Sequence, residues 1–300
     1  MSMHQLRPFL TLLFAVLISA PLYAATDFMD GDVIGTVQHY TVREEDNLYA
    51  IARRFDIGIV ELLAANPGVD PWEPEAGTRL TITTAHVLPP VPHKGVVLNL
   101  SELRLFYFVD EHTVMTFPIG IGREGWQTPL GTTKILRKRV HPIWTPPPSI
   151  RAADPSLPAS FPPGPNNPLG NYALDTGWYG VLIHGTNRPY GIGKRSSHGC
   201  IRLYPEDIEA LFKAVEVDTP VMVVDMPYKL GWQGDSLFLE VTPTQSQTDV
   251  IAEYHKPRPA DLPKIHDAIR NIAGDADIDW YSVDKAASEH SGIPVAIGSR

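Results

Sequence analysis

Between residues 141 and 170 the chain carries ten prolines, at 142, 146, 147, 148, 155, 158, 162, 163, 165 and 168. Each removes a backbone donor and fixes φ at about −65°, so the stretch reads as a long irregular loop without regular elements. Inside a compact domain a loop of this length more often covers a site than merely connects two strands. With 29 prolines in 300 residues, roughly twice the usual share of about 5%, the rest of the chain is also cut into short segments. Short alternating runs bounded by turn residues favour a mainly β architecture.

Composition narrows the partners. There are 25 Lys+Arg against 34 Asp+Glu, a formal charge of −9 with no basic run, which argues against nucleic acid as a ligand. The single cysteine, Cys200, excludes an internal disulfide. Arg7, the apolar run from Phe9 to Ile18 and the small-residue segment Ser19 to Ala24 have the layout of a cleavable export signal over residues 1–24. The apolar run falls short of the roughly 20 residues needed to cross a bilayer, and no later stretch is long enough. The expectation is an exported protein with no membrane span.

Three further units follow. Residues 39–83 read as strand, helix, helix, strand. Tyr40-Thr41-Val42 is β-prone, and Glu44-Glu45-Asp46 precedes a helix with Leu48, Ile51, Ala52 and Phe55 on one face. A second helix turns Val60, Leu63 and Ala64 inward and stops at Asn66-Pro67-Gly68. Residues 87–92, Val-Leu-Pro-Pro-Val-Pro, read as a stiff connector at a domain boundary. Residues 94–226 read as the larger β domain. Its elements are a hairpin (95–100 with 103–108), strands at 114–121, 132–140, 178–183 and 220–224, and a helix from Pro205. Residues 227–300 read as an extension with one helix, about Pro259 to Ala273, placing Leu262, Ile265, Ile269 and Ile272 on one face.

The chemistry concentrates in Ile183-His184-Gly185-Thr186-Asn187 and Ser196-Ser197-His198-Gly199-Cys200-Ile201-Arg202, with His184 and Cys200 16 positions apart. A thiol attacks as thiolate, and an imidazole beside it can take its proton. Backbone N–H groups around the cysteine suit an oxyanion, Gly199 permits close backbone approach, and Arg202 suits a carboxylate. The same His184, His198 and Cys200 also match three zinc ligands with an open fourth position, although no acidic partner is placed by the motif. Trp126, Trp144 and Trp178 are candidates for stacking on substrate or for core packing.

These residues resemble the L,D-transpeptidases with a YkuD-type catalytic domain, whose signature is a histidine followed some 15 residues later by Ser/Thr-His-Gly-Cys. The likeness runs from about Val96 to Asp225 and includes Gly120-Ile121-Gly122 and Thr128-Pro129-Leu130-Gly131. His39-Tyr40-Thr41-Val42, Asn47-Leu48, Ile51-Ala52, Phe55, Leu62, Asn66-Pro67 and Gly77 resemble a LysM module, with Glu45-Asp46-Asn47 where that family has Gly-Asp-Thr or Gly-Asp-Ser.

The resemblance implies a β-sandwich-like catalytic domain with a capping loop, a small α+β LysM-like domain and a short C-terminal helical extension. It implies Cys200 as nucleophile and His184 as base, oriented by the Gly185 carbonyl. His198 and Gly199 would line the oxyanion side, with Ser197, Arg202 and Tyr190 toward substrate. Tyr190 lies in a loop-shaping run with Asn187, Pro189, Ile192 and Gly193. No metal or organic cofactor is implied. The implied reaction joins a peptidoglycan tetrapeptide stem, through a cysteine thioester and with loss of D-Ala, to an amine. That amine would be another stem or a lysine of an outer-membrane lipoprotein, in the periplasm, and carbapenems would acylate the same cysteine. Peptidoglycan glycan is the ligand implied for residues 39–83. A low-pKa thiol in an oxidising compartment would also need a thiol reductase as partner. Water as acceptor would make the chain an L,D-carboxypeptidase or endopeptidase. A wall-binding scaffold would need no His184–Cys200 pair.

Overall fold

The computed structural model describes residues 26–255 and 265–300. The segment 1–24 and the start of the expected helix from Pro259 lie outside them. In chain order the first elements are β1 (Thr26–Phe28), β2 (Val33–Gly35), β3 (Gln38–Thr41), α1 (Leu48–Arg54), α2 (Ile59–Ala65), β4 (Arg79–Ile82) and β5 (Ala85–Val87). β3 pairs antiparallel with β4, so 39–83 is the expected βααβ unit. Leu48, Ile51, Ala52, Val60, Leu62, Leu63 and Ala64 are buried, whereas Phe55, at the C-cap of α1, is half-buried. The cap of α1 is Asn47, whose Oδ1 accepts from Ala50 N at 2.9 Å. Asp46 instead accepts from Tyr40 Oη (2.7 Å) and Arg43 N (2.9 Å), tying strand to helix.

The larger domain contains β6 (Gly95–Asn99), β7 (Arg104–Phe108), β8 (Thr113–Pro118), β9 (Ile121–Gly122), β10 (Gly131–Val140), α3 (Pro148–Ala153), β11 (Tyr172–Thr176), β12 (Leu182–His184), β13 (Arg195–Ser197), β14 (Ile201–Arg202), α4 (Pro205–Ala214) and β15 (Pro220–Val224). Nine strands form one mixed sheet in the order β1-β8-β7-β6-β15-β10-β11-β12-β14, and β9 pairs with β13 beside it. The expected hairpin is present as β6 and β7. Two expectations need correction. The strand expected over 178–183 begins only at Leu182, because Thr176 Oγ1 donates to the Val181 carbonyl (2.7 Å) and closes a turn through Gly180. The proline-rich segment is not wholly irregular, since Pro148 opens α3, where the missing N–H costs nothing.

The C-terminal unit holds β16 (Tyr228–Gln233), β17 (Ser236–Val241), α5 (Gln245–Tyr254), α6 (Ile265–Ala273), β18 (Asp277–Ile278), α7 (Trp280–Glu289) and β19 (Val295–Ser299). The expected helix is α6, with Ile265 and Ile269 buried; Ile272 is exposed and Ala273 takes the inward place one turn on. The rest exceeds expectation: a four-stranded sheet, β16-β17-β19-β18, packs with α6 and α7 around its own apolar core.

Buried charges fasten the three units together. Lys229 Nζ lies 2.8 Å from Glu102 and 3.0 Å from Glu240, and donates to the Val87 carbonyl at 2.5 Å. Arg104 donates to Glu61 at 2.9 Å, and the His86 ring faces Glu61, Glu102 and Glu240 at 3.3 to 3.9 Å. Burial and Arg104 pull the His86 pKa down, but the three carboxylates more than reverse this and leave it raised. Burial pushes Glu102 up, and Lys229 with His86 bring it down to about 2. His86, Glu102 and Glu240 would also suit a cation by spacing, but the Lys229 ammonium stands between the two carboxylates. Residues 87–92, read as a stiff connector, are anchored at their start: Val87 N donates to Glu240 at 2.6 Å, and Val87 and Leu88 are buried.

Candidate active site

β12 and β14 run parallel, with Ile183 opposite Ile201 and His184 opposite Arg202. Side chains alternate across a strand. Ile183 and Ile201 therefore point into the core, where both are buried, and Leu182, His184, Cys200 and Arg202 project together from the other face. All four line a cleft of about 710 Å³. The proline-rich segment walls it: Trp144, Pro147, Ile150, Leu157 and Phe161 also line the cleft. Trp144 and Phe161 exchange two backbone bonds (3.0 and 2.7 Å) with their rings 5.2 Å apart. Asn167, which sequence reading passed over, closes the base of that segment; its amide donates to the carbonyls of Pro142 (2.7 Å), Phe161 and Pro162.

The loop before Cys200 is built from its own side chains. Ser197 Oγ donates to the Cys200 carbonyl (2.6 Å) and accepts from Gly199 N (3.2 Å). Gly199 sits at φ +96, a region an L side chain enters only under strain. Thr128 Oγ1 donates to the Gly199 carbonyl (3.1 Å) and accepts from Gly122 N (3.0 Å), which gives that threonine a structural part. The Gly199 N–H thus meets Ser197 Oγ within the loop.

The His184 ring is 3% exposed, and its Nδ1 bonds the Gly185 carbonyl at 2.5 Å. A carbonyl only accepts, so Nδ1 carries the proton and Nε2 keeps a lone pair. Burial, reinforced by the Arg202 charge, drives this histidine down to about 3, so it is neutral at pH 7. Burial also pushes the Cys200 thiol up, against the Leu182 N–H and Arg202, which pull it down. The sulfur donates to the Gly180 carbonyl at 3.4 Å. The resting pair is therefore thiol and neutral imidazole. Where the sequence reading expected an exposed, low-pKa thiol, Cys200 is partly buried and burial raises its thiol.

His198 is held from outside, with Arg123 Nη2 3.1 Å from its Nε2 and the Trp126 ring near perpendicular to its own, centroids 4.7 Å apart. A guanidinium on that nitrogen leaves it no lone pair for zinc. Arg202 is largely buried, its Nε without a partner; Arg123, Arg139 and Arg188 line the same cleft with Asp154, and Arg139 pairs with Asp175 at 2.7 Å. A protein of net charge −9 thus presents a cationic cleft, a signal that only the fold reveals.

Of the residues expected at the site, His184, Ser197, His198, Cys200 and Arg202 line it. Tyr190 does not: it packs edge-to-face with Tyr49 and tilted against Trp72 at the seam with the βααβ unit. Trp144 lines the cleft, whereas Trp178 packs on the core.

The site gathers a cysteine and a histidine in one cleft of a mostly β domain. Residues 93–223 match the model of the YkuD L,D-transpeptidase catalytic domain and residues 40–83 that of the LysM domain. The probable L,D-transpeptidases YbiS and ErfK/SrfK of Escherichia coli K12 are each 40% identical to this chain. YbiS aligns over 88% of both chains and ErfK/SrfK over 87% of both. The catalytic domain of the Enterococcus faecium L,D-transpeptidase is 25% identical over 45% of this chain and 99% of its own, with a TM-score of 0.36. The chain belongs to the L,D-transpeptidase family. Among the described residues no helix is long and apolar enough to cross a membrane.

Proposed function

We propose that this protein is an exported, periplasmic L,D-transpeptidase that transfers the third-residue carbonyl of a peptidoglycan tetrapeptide stem to an amine through a thioester on Cys200. The observation that carries the reading is the parallel pairing of β12 and β14, which sets His184, Cys200 and Arg202 on one face of one cleft.

His184 Nε2 takes the Cys200 proton as sulfur bonds to the carbonyl carbon. The oxyanion lies against the backbone at Cys200, and Arg202 holds a stem carboxylate. On collapse the carbonyl–nitrogen bond breaks, His184 returns the proton to the leaving nitrogen, and D-Ala departs. The acceptor amine then gives a proton to His184 and attacks the thioester; the sulfur leaves and is reprotonated. A lipoprotein lysine or a second stem serves as acceptor, and residues 1–24 direct export. Ser197 and Gly199 hold the loop, and the Gly185 carbonyl orients the base.

The test is incubation of a disaccharide tetrapeptide with a lysine-ended peptide, reading D-Ala release and the joined product. Cys200→Ala is expected to abolish both; unchanged release would overturn the reading, and release without joining would favour the carboxypeptidase.

A further inference from the structure

The strand that leads into the nucleophile loop is short and irregular. β13 is three residues long and pairs with the two residues of β9 in a two-stranded sheet, too little to hold its own geometry. Arg195 stands opposite Ile121 and Ser197 opposite Gly122, so two steps along β13 meet one along β9. A bulge of this kind re-aims the side chains around it, and bulges gather beside active sites for that reason. Here it is followed at once by Ser197, whose hydroxyl closes the loop on the Cys200 carbonyl. The direction in which Cys200 leaves β13 therefore depends on what holds the bulge.

The C-terminal unit holds it. The Arg195 side chain is only 7% exposed, and its Nη1 donates to the Asp249 carboxylate and to the Gln245 carbonyl (3.2 Å), both on α5. A planar guanidinium fixed by two acceptors has little freedom to turn. α5 is itself anchored along its length. Its first turn is a capping box in which Thr244 N donates to Gln247 Oε1 (2.8 Å). Gln245 Nε2 donates to Asp225 Oδ2 (2.7 Å), one residue beyond β15. Ile251 is buried in the core that also holds Leu62 and Leu63 of α2, and the His255 carbonyl accepts from Gly68 N at 3.1 Å. On the far side of the bulge Arg123 N donates to the Ser197 carbonyl (3.1 Å). The irregular step is thus bracketed, by α5 before it and by the backbone of the 123–127 turn after it.

Arg195, Gln245 and Asp249 do not line the cleft, so the clasp acts through the strand and not on substrate. We infer that Arg195 and Asp249 are positioning residues for Cys200: by fixing the bulge of β13, the clasp from α5 sets where the sulfur stands relative to His184. This rests on the transpeptidase reading. A sulfur displaced by about 1 Å from its base and its target carbonyl costs up to about a hundredfold in rate. The C-terminal unit thereby enters the acyl transfer without touching substrate.

The experiment compares the full chain with Asp249→Ala, Asp249→Glu, Arg195→Ala and the double alanine variant. The Asp249 side chain is 45% exposed, so its replacement leaves the denaturant midpoint nearly unchanged. In Asp249→Ala, kcat for D-Ala release from a disaccharide tetrapeptide is expected to fall about tenfold with KM held within about twofold. Asp249→Glu, which keeps the carboxylate, should recover most of that loss. The double variant should be no slower than Arg195→Ala alone, as expected of two groups acting as one unit. Because Cys200 is the single cysteine, alkylation by iodoacetamide reads its sulfur directly. The midpoint of the alkylation pH profile should rise in Asp249→Ala, as the sulfur leaves the Leu182 N–H and the Arg202 charge that lower it. An unchanged alkylation profile, a raised KM with kcat kept, or a loss that follows only the folded fraction in urea would overturn the positioning role. Wild-type inactivity on the tetrapeptide would instead sink the transpeptidase reading, while the alkylation profiles would still decide the clasp.

Discussion

In the cleft, Arg202 is buried with its Nε unpartnered, His184 is held neutral and the Cys200 thiol is pushed up. In the seam between the three units, Lys229 and Arg104 each face carboxylates from another unit, and His86 turns toward three of them. Both regions bury cations and histidine; the seam sets Lys229 and Arg104 directly against carboxylates, whereas in the cleft Arg139 pairs with Asp175 and Arg202 pairs with no carboxylate among the described residues. Paired buried charge fastens units of a fold together.

Five substitutions, one of them read across a pH series, bear on this contrast. His184→Ala should lower kcat/KM for D-Ala release by about a thousandfold or more, with little change in denaturant midpoint. Lys229→Met does the reverse, leaving Glu102 and Glu240 buried without their cation. Urea unfolding should show a loss of about 3–5 kcal/mol, with turnover per folded molecule preserved. Arg202→Ala should raise KM for the stem peptide about ten- to a hundredfold, as expected for a lost charge-assisted bond of about 1.5–3 kcal/mol; an unchanged KM would remove the carboxylate role.

The pH dependence separates the two histidines. The folded pKa of His184 is depressed to about 3, below its unfolded value. The unfolded chain therefore binds more protons as pH falls from about 6.5 toward 3, and this group makes stability decline across that window. His86 is raised, so its contribution is present below about 6.5 and is lost as pH climbs through its folded value. His86→Gln should flatten the alkaline side of the stability profile and leave the acid side in place. The smallest effect belongs to Ser197→Ala, which removes two hydrogen bonds to the Cys200 loop. It should cost about 1 kcal/mol in stability, seen in thermal unfolding, and a modest part of kcat.

The two regions also differ in how far they were legible. His184 and Cys200 stood out because their residue types and spacing state a chemistry, and the hairpin over 95–108 and the helix from Pro205 followed from alternation and caps. The register that joins His184 to Arg202 was not readable, since parallel pairing is set by strands distant in sequence. The C-terminal sheet was missed although Gln233-Gly234-Asp235-Ser236 is a hairpin turn signal. Lys229 and Glu240 stand opposite each other at buried positions in the strands on either side of it and break the apolar alternation, paired with each other and with Glu102 and Val87 of other units. The surroundings of Tyr190 were not readable for the same reason: its neighbours Tyr49 and Trp72 are more than a hundred positions away.

The central claim is a covalent acyl group on Cys200. Intact mass of the protein after brief exposure to a disaccharide tetrapeptide should show a gain equal to the substrate less D-Ala. The gain should map to Cys200 and discharge onto an added lysine-ended peptide. D-Ala release with no mass gain in wild type, or an equal gain in Cys200→Ala, would contradict it.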